Sequence, residues 1–102
     1  MARVVVSPLA DGDAQAILRH LVAEAGIRVA ENYLSALDAL YDRLASFPAS
    51  GPRRPGLGAH IRIGVLERYV VFYRYVPGSD LVGVVRVLHG RRDVTAKLLR
   101  GG

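Results

Sequence analysis

The sequence predicts an α+β fold: an N-terminal strand, an antiparallel helical hairpin and a three-stranded antiparallel meander, with the hairpin covering one face of the sheet. Three observations carry this. Apolar residues recur at helical spacing from Ala14 to Phe47, in two runs divided at Gly26. β-Branched and aromatic residues crowd Arg3 to Val6 and three stretches after Ala59. Between the helical and strand portions lies Pro48 to Ala59, whose three prolines and three glycines let neither regular structure persist.

Arg3 to Val6 reads as a short Val-rich strand. Ser7 then supplies a helix N-cap and Pro8 a first helical residue whose missing N–H costs nothing. Ala14, Ile17, Leu18, Leu21, Val22 and Ala25 form one apolar stripe, and Gly26 is the stop. The second helix runs through Ala30, Tyr33, Leu34, Leu37, Leu40, Tyr41, Leu44 and Phe47, and Pro48 ends it. So short a connection makes the helices antiparallel neighbours. His60–Leu66, Arg68–Val76 and Leu81–His89 read as strands, the last two joined by the turn Pro77-Gly78-Ser79-Asp80. The tail from Arg91 to Gly102 has apolar material, Val94, Leu98 and Leu99, for one or two helical turns. Only the hairpin is expected to cover the sheet, which leaves the other face open as an apolar patch suited to a protein partner.

The 102 residues are expected to form a single domain, because a typical domain needs about 100–200. With 51% hydrophobic residues there is enough apolar surface to drive folding. A chain this short buries only about 60–70% of its unfolded surface, so a groove is expected rather than a deep cavity. Zero cysteines exclude a disulfide framework, a thiolate metal site and a thiol nucleophile, and suit a reducing cytoplasm. No signal-peptide h-region and no membrane-length apolar run is present. Charge divides sharply along the chain. Residues 1–50 carry four Arg against six Asp/Glu, net −2, whereas residues 51–102 carry ten Lys/Arg against three Asp/Glu, net +7. The C-terminal half therefore attracts nucleic acid or an acidic protein surface.

Arg62, Arg74 and Arg86 fall inside predicted strands and should point away from the helices, since an unpaired charge is costly inside. An even hairpin loop would put Arg74 and Arg86 on opposite faces, and a three-residue loop on one face; both registers remain open. His89, Arg91 and Arg92 cluster where the last strand ends. Cutting RNA there would require His89, or His60, as the base, because arginine stays protonated. Tyr69, Phe72, Tyr73 and Tyr75 suit base stacking, though such residues pack ordinary sheets as well. The histidines at 20, 60 and 89 lack metal-ligand spacing, and Glu31, Asp38 and Asp42 lie on the outer face of the second helix. Neither a metal nor another cofactor is expected.

Ser7-Pro8 before a helix, Tyr33-Leu34 in a long second helix, Pro48, the Gly-rich loop, Tyr69-Val-Val-Phe-Tyr-Arg74 and Arg86-Val-Leu-His-Gly-Arg-Arg-Asp93 together resemble the ParE branch of the ParE/RelE toxin superfamily. The resemblance spans nearly the whole chain. It implies the toxin of a bacterial type II toxin–antitoxin system, neutralised by a ParD-like antitoxin and inhibiting DNA gyrase by protein contact. The alternative it carries is a RelE-like, ribosome-dependent mRNA endonuclease. Arg53, Arg54, Arg62 and Arg91 or Arg92 match the basic part of the RelE pattern, but Thr95 stands where that pattern has tyrosine. On this resemblance, Arg74, Arg86, His89, Arg91 and Arg92 would touch gyrase or DNA held by gyrase. Arg53, Arg54 and Arg62 would meet phosphate or an acidic partner, and Leu34, Leu37, Tyr41 and Tyr73 would receive the antitoxin.

Overall fold

The architecture is that of a computed structural model describing residues 1–101, so Gly102 of the expected tail lies outside the described residues. Strand β1 (Arg3–Val6) leads into α1 (Pro8–Ala25) and α2 (Ile27–Ser46). A single 3₁₀ turn, Pro55–Leu57, interrupts the loop before β2 (Ile61–Leu66), β3 (Tyr69–Tyr75), β4 (Leu81–His89) and the one-turn helix α3 (Ala96–Leu99). The local signals act as read from the sequence. Ser7 is extended and its Oγ accepts the Ala10 N–H at 3.1 Å, capping α1. Gly26 turns the chain at a φ of 92°, which glycine alone adopts without steric cost, and hands it directly to α2. The loop holding Pro48 to Ala59 carries one feature the sequence did not announce, a bridge of Arg53 to Arg62 along the outer edge of β2.

The sheet order is β1-β4-β3-β2, with β1 parallel to β4 and the other pairs antiparallel. The first strand thus closes the sheet beside the last. Helix α2 supplies Tyr33, Leu37, Leu40 and Leu44 to the main core, opposite Val71, Tyr73, Val82, Val84 and Val87. Helix α1 lies shallower: Ile17, Leu18 and Leu21 are partly buried and Val22 is exposed. Leu34 and Phe47, read as part of the buried period of α2, are exposed instead.

The far face of the sheet is not open as expected. Leu57, Val94, Leu98 and Leu99 pack over Ile61, Ile63, Phe72 and Leu88 in a second core cluster. The tail can do this because Thr95 starts α3 with a side-chain cap on the Leu98 N–H at 3.1 Å and directs Leu99 inward. Burying one leucine side chain contributes about 1.5–3 kcal/mol, enough to seat a helix too short to be stable alone.

The register of β3 on β4 answers the question left open for the arginines. Next to the turn, Arg74 faces Gly83 and Tyr73 faces Val84, the even-loop register. A bulge then inserts Val85, so that Phe72 faces Arg86. Because Phe72 and Arg74 lie two residues apart on one strand, Arg74 and Arg86 share the far face despite the even loop.

Arg86 nevertheless does not point freely outward. Strand β1 pairs β4 only as far as Val84, where the chain leaves as α1, and the rest of that edge would expose unpaired backbone. Helix α1 closes it. Ser7 donates its N–H to the Val84 carbonyl and its hydroxyl to the Val85 carbonyl, both at 3.0 Å. Asp13 accepts the Val87 N–H at 3.1 Å and both Nε and Nη2 of Arg86 at 2.7 and 2.8 Å. The guanidinium also donates to the Leu98 carbonyl at 2.9 Å, reaching α3. With Arg86 only 9% exposed, the bond to Asp13 outweighs burial and raises the guanidinium pKa above its ordinary value. Removing one partner of a buried pair leaves the other uncompensated. Asp13→Ala is therefore expected to cost about 3–5 kcal/mol in urea unfolding; a loss below about 1 kcal/mol would mean the pair behaves like a solvated one.

The hydroxyls of Tyr33 and Tyr41 are buried without a hydrogen-bond partner among the described residues. Burial foremost, then the neighbouring Tyr41, Tyr69 and Asp13, raises the Tyr33 pKa well beyond the ordinary phenol range. Burial, then Asp11 and Asp38, pushes Tyr41 up to about 12. In the unfolded chain both phenols ionise near pH 10, so the unfolded state sheds protons first and stability present below about pH 10 is lost as pH rises toward 12. The urea midpoint should fall across that window, and Tyr41→Phe should lessen the fall; an identical fall in the variant would assign it to other groups.

Candidate functional site: a basic groove at the end of the last strand

The end of β4, the loop after it and the 3₁₀ turn enclose a groove of about 470 Å³ on the far face of the sheet. Its floor is apolar, Ile63, Val70 and Phe72, and its rim carries Arg54, His89, Arg92 and Asp93. Two loops therefore bring together cations that are 38 positions apart in sequence, from Arg54 to Arg92.

Each loop is held by identifiable bonds. After β4, His89 organises the turn: its Nδ1 accepts the Arg91 N–H at 3.1 Å and its carbonyl accepts the Arg92 N–H at 3.0 Å. The ring also stacks edge-on with Tyr69, centroids 5.5 Å apart, and Tyr69 stacks in the same way on Tyr33 in the core. Because Nδ1 is an acceptor, the hydrogen bond assigns the proton of neutral His89 to Nε2. The ring itself lies on the hairpin side of the strand end, beside Tyr69. Arg91 and Arg92 flank it, both exposed.

The other loop is strapped to the edge of β2. The Arg54 N–H donates to the Ile61 carbonyl at 2.8 Å, and the Pro52 carbonyl accepts the Ile63 N–H at 3.1 Å. Arg62 donates to the carbonyls of Ala49 at 3.2 Å and Gly51 at 2.8 Å, so it is a loop brace on the hairpin side of the sheet. This corrects the expectation that Arg62 points away from the helices. Arg53 is exposed and bonds the Ala59 carbonyl at 3.3 Å. Tyr73, with no exposed surface, accepts the Gly51 N–H at 3.0 Å and donates to the Pro48 carbonyl at 2.9 Å.

Placement sorts the remaining sequence candidates. Arg54, His89, Arg91 and Arg92 gather at the groove, while Arg74 is exposed on the same face but closer to β1. Arg86 is corrected from a target contact to the clip described above, because its guanidinium is saturated by Asp13 and Leu98. Leu37 and Tyr73 are corrected from antitoxin contacts to core residues, since both are buried; Tyr41 is half-buried, and Leu34 alone of that set is 45% exposed. Asp13 and Gly51 contribute without a signal in the sequence. Asp13 looks like an ordinary acid in an early helical turn, and nothing local reveals that its partner lies 73 positions away. Among the described residues no cluster of His, Asp and Glu is spaced to hold a metal ion, and no helix is long and apolar enough to cross a membrane.

The family model described as ParE toxin of type II toxin-antitoxin system, parDE, matches residues 4–94, and the chain belongs to that family. Among similar proteins, Toxin ParE3 of Caulobacter vibrioides is 31% identical over 98 residues, covering 96% of both chains. Toxin ParE1 of Mycobacterium tuberculosis is 33% identical over 97 residues, covering 95% of this chain and 98% of its own. A solved structure titled Chromosomal ParDE TA system from P. aeruginosa superposes with a TM-score of 0.72 at 20% identity, over 87% of this chain and 96% of that one. At that identity the structural likeness speaks for the fold.

Gly51 sits so close to the Ile63 carbonyl and the Tyr73 hydroxyl that an added Cβ would overlap the Ile63 oxygen. Gly51→Ala should therefore push the arginine loop off β2 and destabilise by about 1–3 kcal/mol. Hydrogen exchange should accelerate at the Arg54 and Ile63 amides; unchanged protection at both would show that the loop is not held there.

Proposed function

We propose that this chain is the toxin of a ParDE pair that stops DNA gyrase by binding it, and that a ParD-like antitoxin neutralises it. The contact is made by Arg91, Arg92 and Arg54 around His89, with Arg53 beside them, against an acidic surface of gyrase or against DNA held by gyrase. Such a target places the protein in the cytoplasm. The observation carrying this reading is the groove at the end of β4, where Arg54 and Arg92 rim an apolar floor. Permanently charged arginines over an apolar floor suit binding at an interface, where arginine is a frequent anchor. Acid–base cleavage of RNA would instead require His89 to give up the Arg91 N–H, or to exchange its proton, before acting as a base. Thr95, at the place of the RelE tyrosine, is occupied as the cap of α3.

Purified chain is expected to inhibit supercoiling by gyrase or to trap cleaved DNA, leaving mRNA on ribosomes intact. Arg91→Ala and Arg92→Ala should each raise the concentration for half-inhibition by about tenfold, as loss of an interface anchor does. Cleaved ribosomal mRNA with normal supercoiling would replace this reading by the RelE-like endonuclease. Binding to free DNA with a steep salt dependence and no effect on either machine would replace it by a plain nucleic-acid module.

A further inference from the structure

Arg91 and Arg92 are exposed, and among the described residues neither is in an ion pair, the one pair being that of Arg86 with Asp13. The backbone that carries them therefore sets their direction. Among the described residues, three hydrogen bonds hold residues 90–93. The Gly90 N–H donates to the Arg68 carbonyl at 2.7 Å, the Arg91 N–H to Nδ1 of His89 at 3.1 Å, and the Arg92 N–H to the His89 carbonyl at 3.0 Å. The bond to Nδ1 spans two positions, as in an Asx turn, where an aspartate or asparagine oxygen takes that place. An imidazole serves only while its ring is turned so that Nδ1 meets the amide. Tyr69 supplies that constraint: it is the β3 partner of His89, and the two rings meet edge to face at 78° with centroids 5.5 Å apart. Tyr69 is fixed in turn by Tyr33 of α2, 8% exposed, in a second edge contact at 5.5 Å and 66°. Gly90 completes the seat. A Cβ there would meet the Arg68 carbonyl at 3.2 Å, so the arginine turn lies directly on the turn between β2 and β3.

We propose that His89 and Tyr69 are positioning residues for the target contact: their rings act on the target only through the backbone of Arg91 and Arg92, which they hold in its binding geometry before the target arrives. The inference rests on the gyrase reading above and adds the source of its affinity. Ordering a flexible segment at an interface subtracts from binding, and a turn already ordered in the free protein avoids that cost. To touch a target on the far face, the His89 ring would have to leave Tyr69 and forfeit the Arg91 bond. Asparagine separates the two roles. In His89→Asn a carboxamide oxygen can still accept the Arg91 N–H, but no ring remains to meet either Tyr69 or the target.

The test measures inhibition of gyrase supercoiling by the full chain, with NMR order parameters of the Arg91 and Arg92 amides as an independent reading of the turn. His89→Ala removes an exposed side chain and leaves the fold intact. It is expected to raise the half-inhibiting concentration by about tenfold while the order parameters fall from about 0.85 to below about 0.6. His89→Asn should bring inhibition back to within about twofold of wild type and keep the turn ordered. Tyr69→Leu keeps apolar volume but loses the ring edge. It should weaken inhibition in the wild-type background and have no effect in His89→Asn, where no ring depends on it. Should Tyr69→Leu unfold, the two His89 variants decide alone. Wild-type inhibition by His89→Ala, with Arg91→Ala and Arg92→Ala still weakened, would overturn the inference and leave the function reading standing. Equal weakening by His89→Ala and His89→Asn over a turn that stays ordered in both would make the ring itself a contact and overturn it as well. Failure of the wild type to inhibit gyrase would overturn both readings.

Discussion

The carboxylate of Asp13 is the junction on which the rest of the molecule depends. A four-stranded sheet entered by a parallel strand of only four residues leaves the β1-side edge of β4 without a strand beyond Val84. Unpaired amides there would either cost desolvation or invite another chain to pair. One carboxylate answers the Val87 amide and the Arg86 guanidinium together, and the guanidinium passes the connection on to the Leu98 carbonyl. Helix α1, strand β4 and the tail are thereby linked through a single side-chain pair.

That linkage explains why the far face is divided. With α3 held by Arg86 from one side and by Leu99 in the apolar cluster from the other, the tail crosses the middle of a sheet face that would otherwise be continuous. A basic groove remains toward the end of β4, and an apolar groove remains toward β1. One face thus presents two shallow surfaces of different character.

The bulge at Val85 is a second economy of the same kind. One extra residue brings Arg86 to the far face, where its fork can turn around the edge toward Asp13, and also places Val85 in the wall of the apolar groove. Without it the even turn would place Arg86 on the hairpin side of the sheet, where burying its charge is costly. The aromatic series from Tyr33 through Tyr69 to His89 ties the other end of the strand to the core, so that the arginine turn stands on packed residues rather than on a free loop.

By itself the sequence determined the elements and their limits, because the signals are local: Ser7-Pro8 opens α1, Gly26 divides the hairpin, Pro48 stops α2, and alternating Val and Tyr mark the strands. It also determined that cations gather at the end of β4, since His89, Arg91 and Arg92 are neighbours in the chain. Tertiary structure decided where β1 inserts, which face each arginine takes, and that Arg86, Leu37 and Tyr73 serve the interior. A bulge displaces register by one residue, and a bond from Asp13 to Arg86 spans 73 positions; neither leaves a periodicity or a spacing along the chain. Local chemistry dictates what a segment becomes, whereas exposure depends on what the remainder of the chain lays over it.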